Sequence, residues 1–166
     1  MLKRLSPLWL ACLLAGLLQP ISATAGEVVV SFVQPERYTD LGFAPLTRQR
    51  HLQALTEHMS RWGAVLPASR RLEIEVLDID LAGLERPVGR EPAVRVLNGK
   101  VDWPRMTLRW RLHEGQSLVA SGEEQVSDMA YAYRLALGDR NRPLYHDLRM
   151  LDDWLRERIL PVPATR

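Results

Sequence analysis

Arg71-Leu72-Glu73-Ile74-Glu75-Val76-Leu77-Asp78-Ile79-Asp80-Leu81 decides how this chain folds. The stretch is rich in β-branched and aliphatic residues and alternates with polar ones, the pattern of a half-buried strand. The alternation contains a fault. Leu72, Ile74 and Val76 share one parity, whereas Leu77, Ile79 and Leu81 share the other. Side chains on a strand alternate with period two, so one buried face cannot hold both sets without an extra residue. Either a β-bulge falls near Val76-Leu77, or both faces are buried there. If the original face stays buried, Asp78 and Asp80 point inward.

Upstream, Glu27 to Val33 reads as a strand closed by Pro35, and Tyr38-Thr39-Asp40 follows as a loop. Leu52, Leu55, Met59 and Trp62 recur at helical spacing, with Pro45 suited to the helix start and Gly63 to its end. Downstream, residues 83–92 read as a charged loop containing Pro and Gly, and Ala93 to Leu97 as a short strand. Asn98-Gly99 is a hairpin signal that would pair Val96 with Val101 and Arg95 with Asp102. From Met106 the alternation is regular, with Met106, Leu108, Trp110 and Leu112 inward. A turn at Gly115 leads to a returning strand whose inward series is Leu118, Ala120 and Gly122, small residues fit to face Trp110. After a connector with a helical turn at 131–137, Pro143 opens a last helix. Its stripe is Leu144, Leu148, Leu151, Leu155 and Ile159, and Pro161 stops it. The expected fold is α+β: an antiparallel sheet of four or five strands with two amphipathic helices packed on one face.

The first 25 residues have the anatomy of a secretory signal peptide. Lys3 and Arg4 precede an apolar run from Leu8 to Leu18, which is too short to span a bilayer, and Ala23-Thr24-Ala25 is a small-x-small cleavage site. Cleavage would leave residues 26–166 as one α+β domain beginning at Gly26, periplasmic or secreted, with no transmembrane segment. Cys12 sits inside the apolar run, where a lipoprotein cut would leave almost no apolar core, so a lipid anchor is not expected. The mature chain would contain no cysteine, hence no disulfide, zinc–thiolate site or Cys nucleophile. Loss of Lys3 and Arg4 leaves 20 basic against 20 acidic residues, so there is no basic surplus for nucleic acid.

Gly-rich phosphate loops, His-Glu-x-x-His and Gly-x-Ser-x-Gly are all missing. His51 and His58 lie seven apart on the first helix, about 10 Å along its axis, too far to share one metal easily. His113 and His146 read as exposed. Asp78 and Asp80 are the leading functional candidates: two carboxylates on one strand face could hold a hard cation or share a proton. The structural alternative is that backbone amides of the Gly83 turn or arginines saturate them. The two parity faults, at Val76-Leu77 and between Trp103 and Met106, place Asp78, Asp80, Asp102 and Trp103 near one end of the sheet. Trp103-Pro104 suits either a stacking platform or a packed corner. Tyr38, Asp40 and Asp128 are secondary candidates, Asp128 also being suited to cap a turn. Asp152 and Asp153 read as a solvated helix face paired with Arg156 and Arg149.

The same segments carry a family resemblance. Tyr38-Thr39-Asp40, Asp78-Ile79-Asp80-Leu81-Ala82-Gly83, Asp102-Trp103-Pro104-Arg105, Ser127-Asp128-Met129 and Met150-Leu151-Asp152-Asp153-Trp154 occur in the order that resembles the exported bacterial family labelled domain of unknown function 3016. The resemblance implies an exported protein of this length and implies no activity. The chain departs from the family pattern at Ala130, where a polar residue is expected, and at His146-Asp147, where Glu-Lys is expected after Tyr145. Those departures argue against chemistry at the two positions.

The leading expectation is a non-enzymatic binding module whose partner is an unknown envelope protein or small ligand. No cofactor is expected, and no metal is specified. The alternatives are a metal- or proton-dependent site on Asp78 and Asp80, and a small-ligand binder using Trp103 and Tyr38.

Overall fold

The structure, a computed structural model, describes residues 25–89, 91–134 and 142–162. The expected signal segment with Cys12, and the end of the helical turn expected at 131–137, lie outside the described residues. Strand β1 (Glu27–Phe32) leads through a short 3-10 turn to helix α1 (Pro45–Ser60), then to β2 (Arg70–Asp80). Strands β3 (Leu84–Val88) and β4 (Glu91–Val96) follow, then β5 (Arg105–Glu114), β6 (Ser117–Ser127) and helix α2 (Tyr145–Trp154). A π-helical turn, Leu155–Ile159, continues α2.

The main sheet has four strands in the order β1-β2-β5-β6, and β3 and β4 form a separate two-stranded ribbon. The main sheet is mixed. β1 runs parallel to β2, whereas β2–β5 and β5–β6 are antiparallel, which corrects the purely antiparallel expectation. The cause is the crossover through α1: a strand–helix–strand unit returns the second strand in the direction of the first.

The fault in β2 is a bulge. Its register against β5 shifts between Val76 and Asp78, leaving Leu77 as the extra residue. Leu72, Ile74 and Val76 are buried before the bulge, and Ile79 after it. Asp78 and Asp80 therefore stay on the half-exposed face and do not point into the core. Met106, Leu108, Trp110 and Leu112 of β5 are buried in the same layer, together with Leu55 and Met59 of α1 and Leu148 and Leu151 of α2. Trp110 pairs directly with Gly122, where an added Cβ would come within 3.1 Å of the indole nitrogen. Leu118 does not join this layer. A register shift between Leu112 and His113 makes Val119 the extra residue and leaves Leu118 exposed.

Three further expectations are corrected. Residues 84–88 form a strand instead of continuing the loop; its pairing with β4 shifts register between Arg86 and Val88, around Pro87, which has no N–H to contribute. Asn98-Gly99 does not make a two-residue hairpin, because β4 pairs back onto β3 and Arg95 stands opposite Glu85. Gly63 follows α1 within a 3-10 turn, Arg61–Ala64, and serves close approach: a Cβ there would lie 2.5 Å from the carbonyl oxygen of Gly26.

Candidate functional site

The bulge ends β2 at a crowded corner of the sheet. After the 3-10 turn the chain returns to the β2 edge, where the Asp40 N–H donates to the Ile79 carbonyl at 2.8 Å and the Leu81 N–H to the Asp40 carbonyl at 3.2 Å. This bridge sets Tyr38, Thr39 and Asp40 beside Asp78 and Asp80. The Tyr38 hydroxyl donates to the Val76 carbonyl at 2.7 Å, and burial pushes its pKa up to about 12. Asp78 accepts the Thr39 N–H at 2.8 Å and the Thr39 hydroxyl at 2.7 Å. Asp80 is paired with Arg105, its cross-strand neighbour, whose Nε lies 3.0 Å away. The Arg105 guanidinium lies 5.4 Å from the Trp103 ring centroid, within cation–π range.

Asp40 is gripped at both oxygens by Arg95 of β4, at 2.8 and 3.1 Å. The same guanidinium donates to the Gly83 carbonyl at 2.9 Å and lies 3.5 and 3.4 Å from those of Leu81 and Ala82. Arg95 therefore pairs with Asp40, not with Asp102 as the hairpin reading had it. Gly83 itself has φ +79°, and a Cβ there would lie 2.6 Å from the Val96 carbonyl, so only glycine fits this turn. Asp102 is buried below the 98–100 turn and accepts the N–H groups of Asn98 and Lys100 at 2.6 and 3.1 Å. Burial alone would raise its pKa; those amides and the Tyr131 hydroxyl outweigh burial and hold it below the ordinary range. Asp128 accepts the Ala130 N–H at 3.1 Å as a turn cap and meets Arg134 at 3.2 Å.

The structure thus brings Tyr38, Asp40, Asp78 and Asp80 together around two openings. A cleft of about 460 Å³ is lined by Tyr38, Asp40, Phe43, Asp80, Leu84 and Glu85, among others. A smaller one, about 120 Å³, is lined by Thr39, Asp78, Asp80 and Arg105 among others. Asp102 and Trp103 line neither. Among the described residues, no group of three or more His, Cys, Asp or Glu is arranged to hold a metal ion.

Asp147 is the residue that sequence reasoning passed over. It is 2% exposed, and its Oδ1 accepts the Ala82 N–H at 2.9 Å. Burial pushes its pKa up to about 6, against the Ala82 N–H, its own amide and the nearby Arg95 charge. The signal was present: position 147 lies three after Leu144 and four before Leu151, inside the apolar stripe. His146 is not exposed either but packs edge-on against Tyr131, ring centroids 4.8 Å apart. His113 is likewise half-buried, 3.8 Å from Glu73. Asp152 is not a solvated charge: its Oδ1 meets His58 Nε2 at 2.7 Å and accepts the Trp62 N–H at 2.9 Å. Its neighbour Asp153 pairs with Arg156 and Arg134.

A mixed four-stranded sheet, a separate ribbon and a bulged strand end crowded with bonded carboxylates define an α+β domain with a built corner. The chain belongs to the family described as protein of unknown function (DUF3016), whose sequence profile matches residues 26–157. Comparison with curated proteins and with solved structures finds no match.

Arg105 is the only cation bonded to Asp80 among the described residues. Asp80→Asn should therefore cost about 1 kcal/mol in urea unfolding, the scale of a partly exposed ion pair. A loss above about 3 kcal/mol would mean that Asp80 carries more of the corner than this pair accounts for.

Proposed function

We propose that this protein is an exported periplasmic binding module without catalytic chemistry, and that its ligand enters the cleft between the Tyr38–Phe43 loop and the first residues of β3. The observation that carries the reading is that the three aspartates at the cleft corner, Asp40, Asp78 and Asp80, each already have a fixed partner. Asp78 holds the Thr39 backbone and hydroxyl, Asp40 holds Arg95, and Asp80 holds Arg105. Carboxylates so engaged are poor acids, bases or nucleophiles at the moment of need but make a rigid wall. The wall combines apolar surface from Pro35, Tyr38, Leu41, Phe43 and Leu84 with acceptors from Glu36 and Glu85. That lining suits a ligand bearing an apolar group and hydrogen-bond donors, such as a short segment of an envelope protein. Phe43 is 66% exposed at the mouth and offers an aromatic anchor. Tyr38 lines the cleft and Trp103 does not, so the small-ligand reading keeps only Tyr38. Export is supported by the Lys3-Arg4 start, the Leu8–Leu18 run and Ala23-Thr24-Ala25.

The test combines both parts. The full chain, carrying a photo-crosslinking residue at Phe43 or at exposed Ser121, is expressed in a Gram-negative bacterium and the periplasm is collected. The expected result is a periplasmic protein beginning at Gly26 by mass spectrometry, with a discrete adduct from position 43 alone. A chain retained in the cytoplasm with Met1, or equal adducts from the two positions, would overturn the proposal.

A further inference from the structure

The ribbon presents two unlike faces. Glu85 and Arg95, directly opposite each other, turn toward the body of the protein: Glu85 accepts the Phe43 N–H at 2.5 Å, and Arg95 grips Asp40. The paired residues Leu84–Val96 and Arg86–Val94 occupy the other face, since side chains directly opposite on antiparallel strands share a face. Apart from Arg86, the residues of these two pairs are apolar, and all four are exposed. Leu84, Val88, Val94, Val96, Leu97 and Val101 are all among the exposed large hydrophobics, from 38% at Val96 to 75% at Val101. Leu84, Val94 and Val96 share that face, and three more exposed apolar residues lie in the same short stretch of sequence, a concentration unlike the scattered exposed apolar residues of an ordinary surface.

Charge indicates what covers it. Among the described side chains of residues 84–101, the exposed charges are Arg86 and Lys100, both cationic. Neither forms an ion pair among the described residues, whereas Arg95, Arg105, Arg109 and Arg111 are all paired. Of the acids here whose side chains are described, Glu85 lies on the inner face and Asp102 is buried under amides. The patch also lacks the aromatic residues and methionine that anchor protein–protein contacts. Aliphatic side chains flanked by unpaired cations fit the boundary between headgroups and acyl chains of an anionic bilayer.

We propose that the outward face of the β3–β4 ribbon docks the protein on membranes containing anionic phospholipid. The contact is peripheral: among the described residues no helix is long and apolar enough to cross a bilayer. Glu85 of the cleft lies on the inner side of the ribbon, and Leu84 borders both the cleft and the outward face.

The test is co-sedimentation of residues 26–166 with vesicles of phosphatidylglycerol and phosphatidylcholine, against phosphatidylcholine alone. Binding should require the anionic lipid and weaken with salt. Val94→Asp with Val96→Asp, and separately Arg86→Glu with Lys100→Glu, should each weaken it at least about tenfold. Both pairs are exposed, so circular dichroism and urea midpoints should match the parent chain. Failure to bind anionic vesicles, or equal binding by the Val94/Val96 variant, would overturn the proposal. So would a dimer in analytical ultracentrifugation that the same variant abolishes, since the face would then belong to a second copy. Crosslinking from Phe43 reads the cleft alone, so either proposal can fail while the other stands.

Discussion

Trp110→Ala should lower the stability of the fold by about 3–5 kcal/mol, the range for deleting a large aromatic side chain from a core. Trp110 is 5% exposed and stands against Gly122, with no side chain opposite to expand into the space it leaves. Its loss also disturbs a polar arrangement inside the apolar layer. The indole N–H groups of Trp110 and Trp154 both donate to Oε1 of Glu124, at 3.0 and 3.1 Å, and Arg158 binds the same carboxylate. Burial alone would raise the Glu124 pKa; the Arg158 and indole hydrogen bonds outweigh it and hold the group below its ordinary value. Truncation thus removes packing, a donor to a half-buried carboxylate, and the edge contact with Trp154 at 6.3 Å between centroids. Urea unfolding followed by far-ultraviolet circular dichroism measures the sum. A loss below about 1 kcal/mol would mean that this layer repacks around the missing ring.

Trp110 also marks what the sequence makes legible. Its facing residue, the bulge beside Leu77 and the α2 stripe all follow from periodicity, because burial on one face imposes a pattern on the chain. Strand direction imposes none. The parallel β1–β2 pair is implied only by the strand–helix–strand order, and the hairpins downstream argued the other way. β3 escaped because its residues face no core: Leu84, Arg86, Pro87 and Val88 are all exposed. Asn98-Gly99 has strong turn chemistry, yet Asp102 binds the Asn98 and Lys100 amides and makes that turn a loop closed by a carboxylate. The candidate acids were found as residues but not as pairs. Which arginine meets which carboxylate depends on contacts 55 residues apart for Arg95 and Asp40, and nothing local encodes that distance.

Asp147→Asn should stabilise the protein at pH 7.5, by up to about 3 kcal/mol. The folded-state pKa is raised to about 6 from 3.8 because the fully buried carboxylate has lost water. Each pKa unit corresponds to about 1.4 kcal/mol, so the ionised group costs the fold about 3 kcal/mol where both folded and unfolded states are ionised. That condition holds above about pH 6. As the pH falls from about 6 toward 3.8, the folded state binds a proton that the unfolded chain does not, and the cost disappears. Asparagine keeps an oxygen to accept the Ala82 N–H and has no charge to desolvate. The gain from Asp147→Asn should therefore be largest at pH 7.5 and shrink toward zero near pH 4. Comparing variant and parent at each pH cancels the titration of the other carboxylates. Asp147→Ala separates the two roles: it removes the charge but strands the Ala82 N–H, costing about 1–3 kcal/mol against asparagine at every pH. A gain that does not change with pH, or no gain at 7.5, would show that Asp147 is ionised at little cost in the fold. The effect reaches the cleft corner through residues 81–83. Asp147 holds the Ala82 N–H from α2, while Arg95 holds the Gly83 carbonyl from β4, so one three-residue turn is clamped from both sides. Removing that desolvation cost should raise the hydrogen-exchange protection of Ala82 at pH 7.5 before that of the distant β1 amides, because the turn opens locally once either clamp lets go.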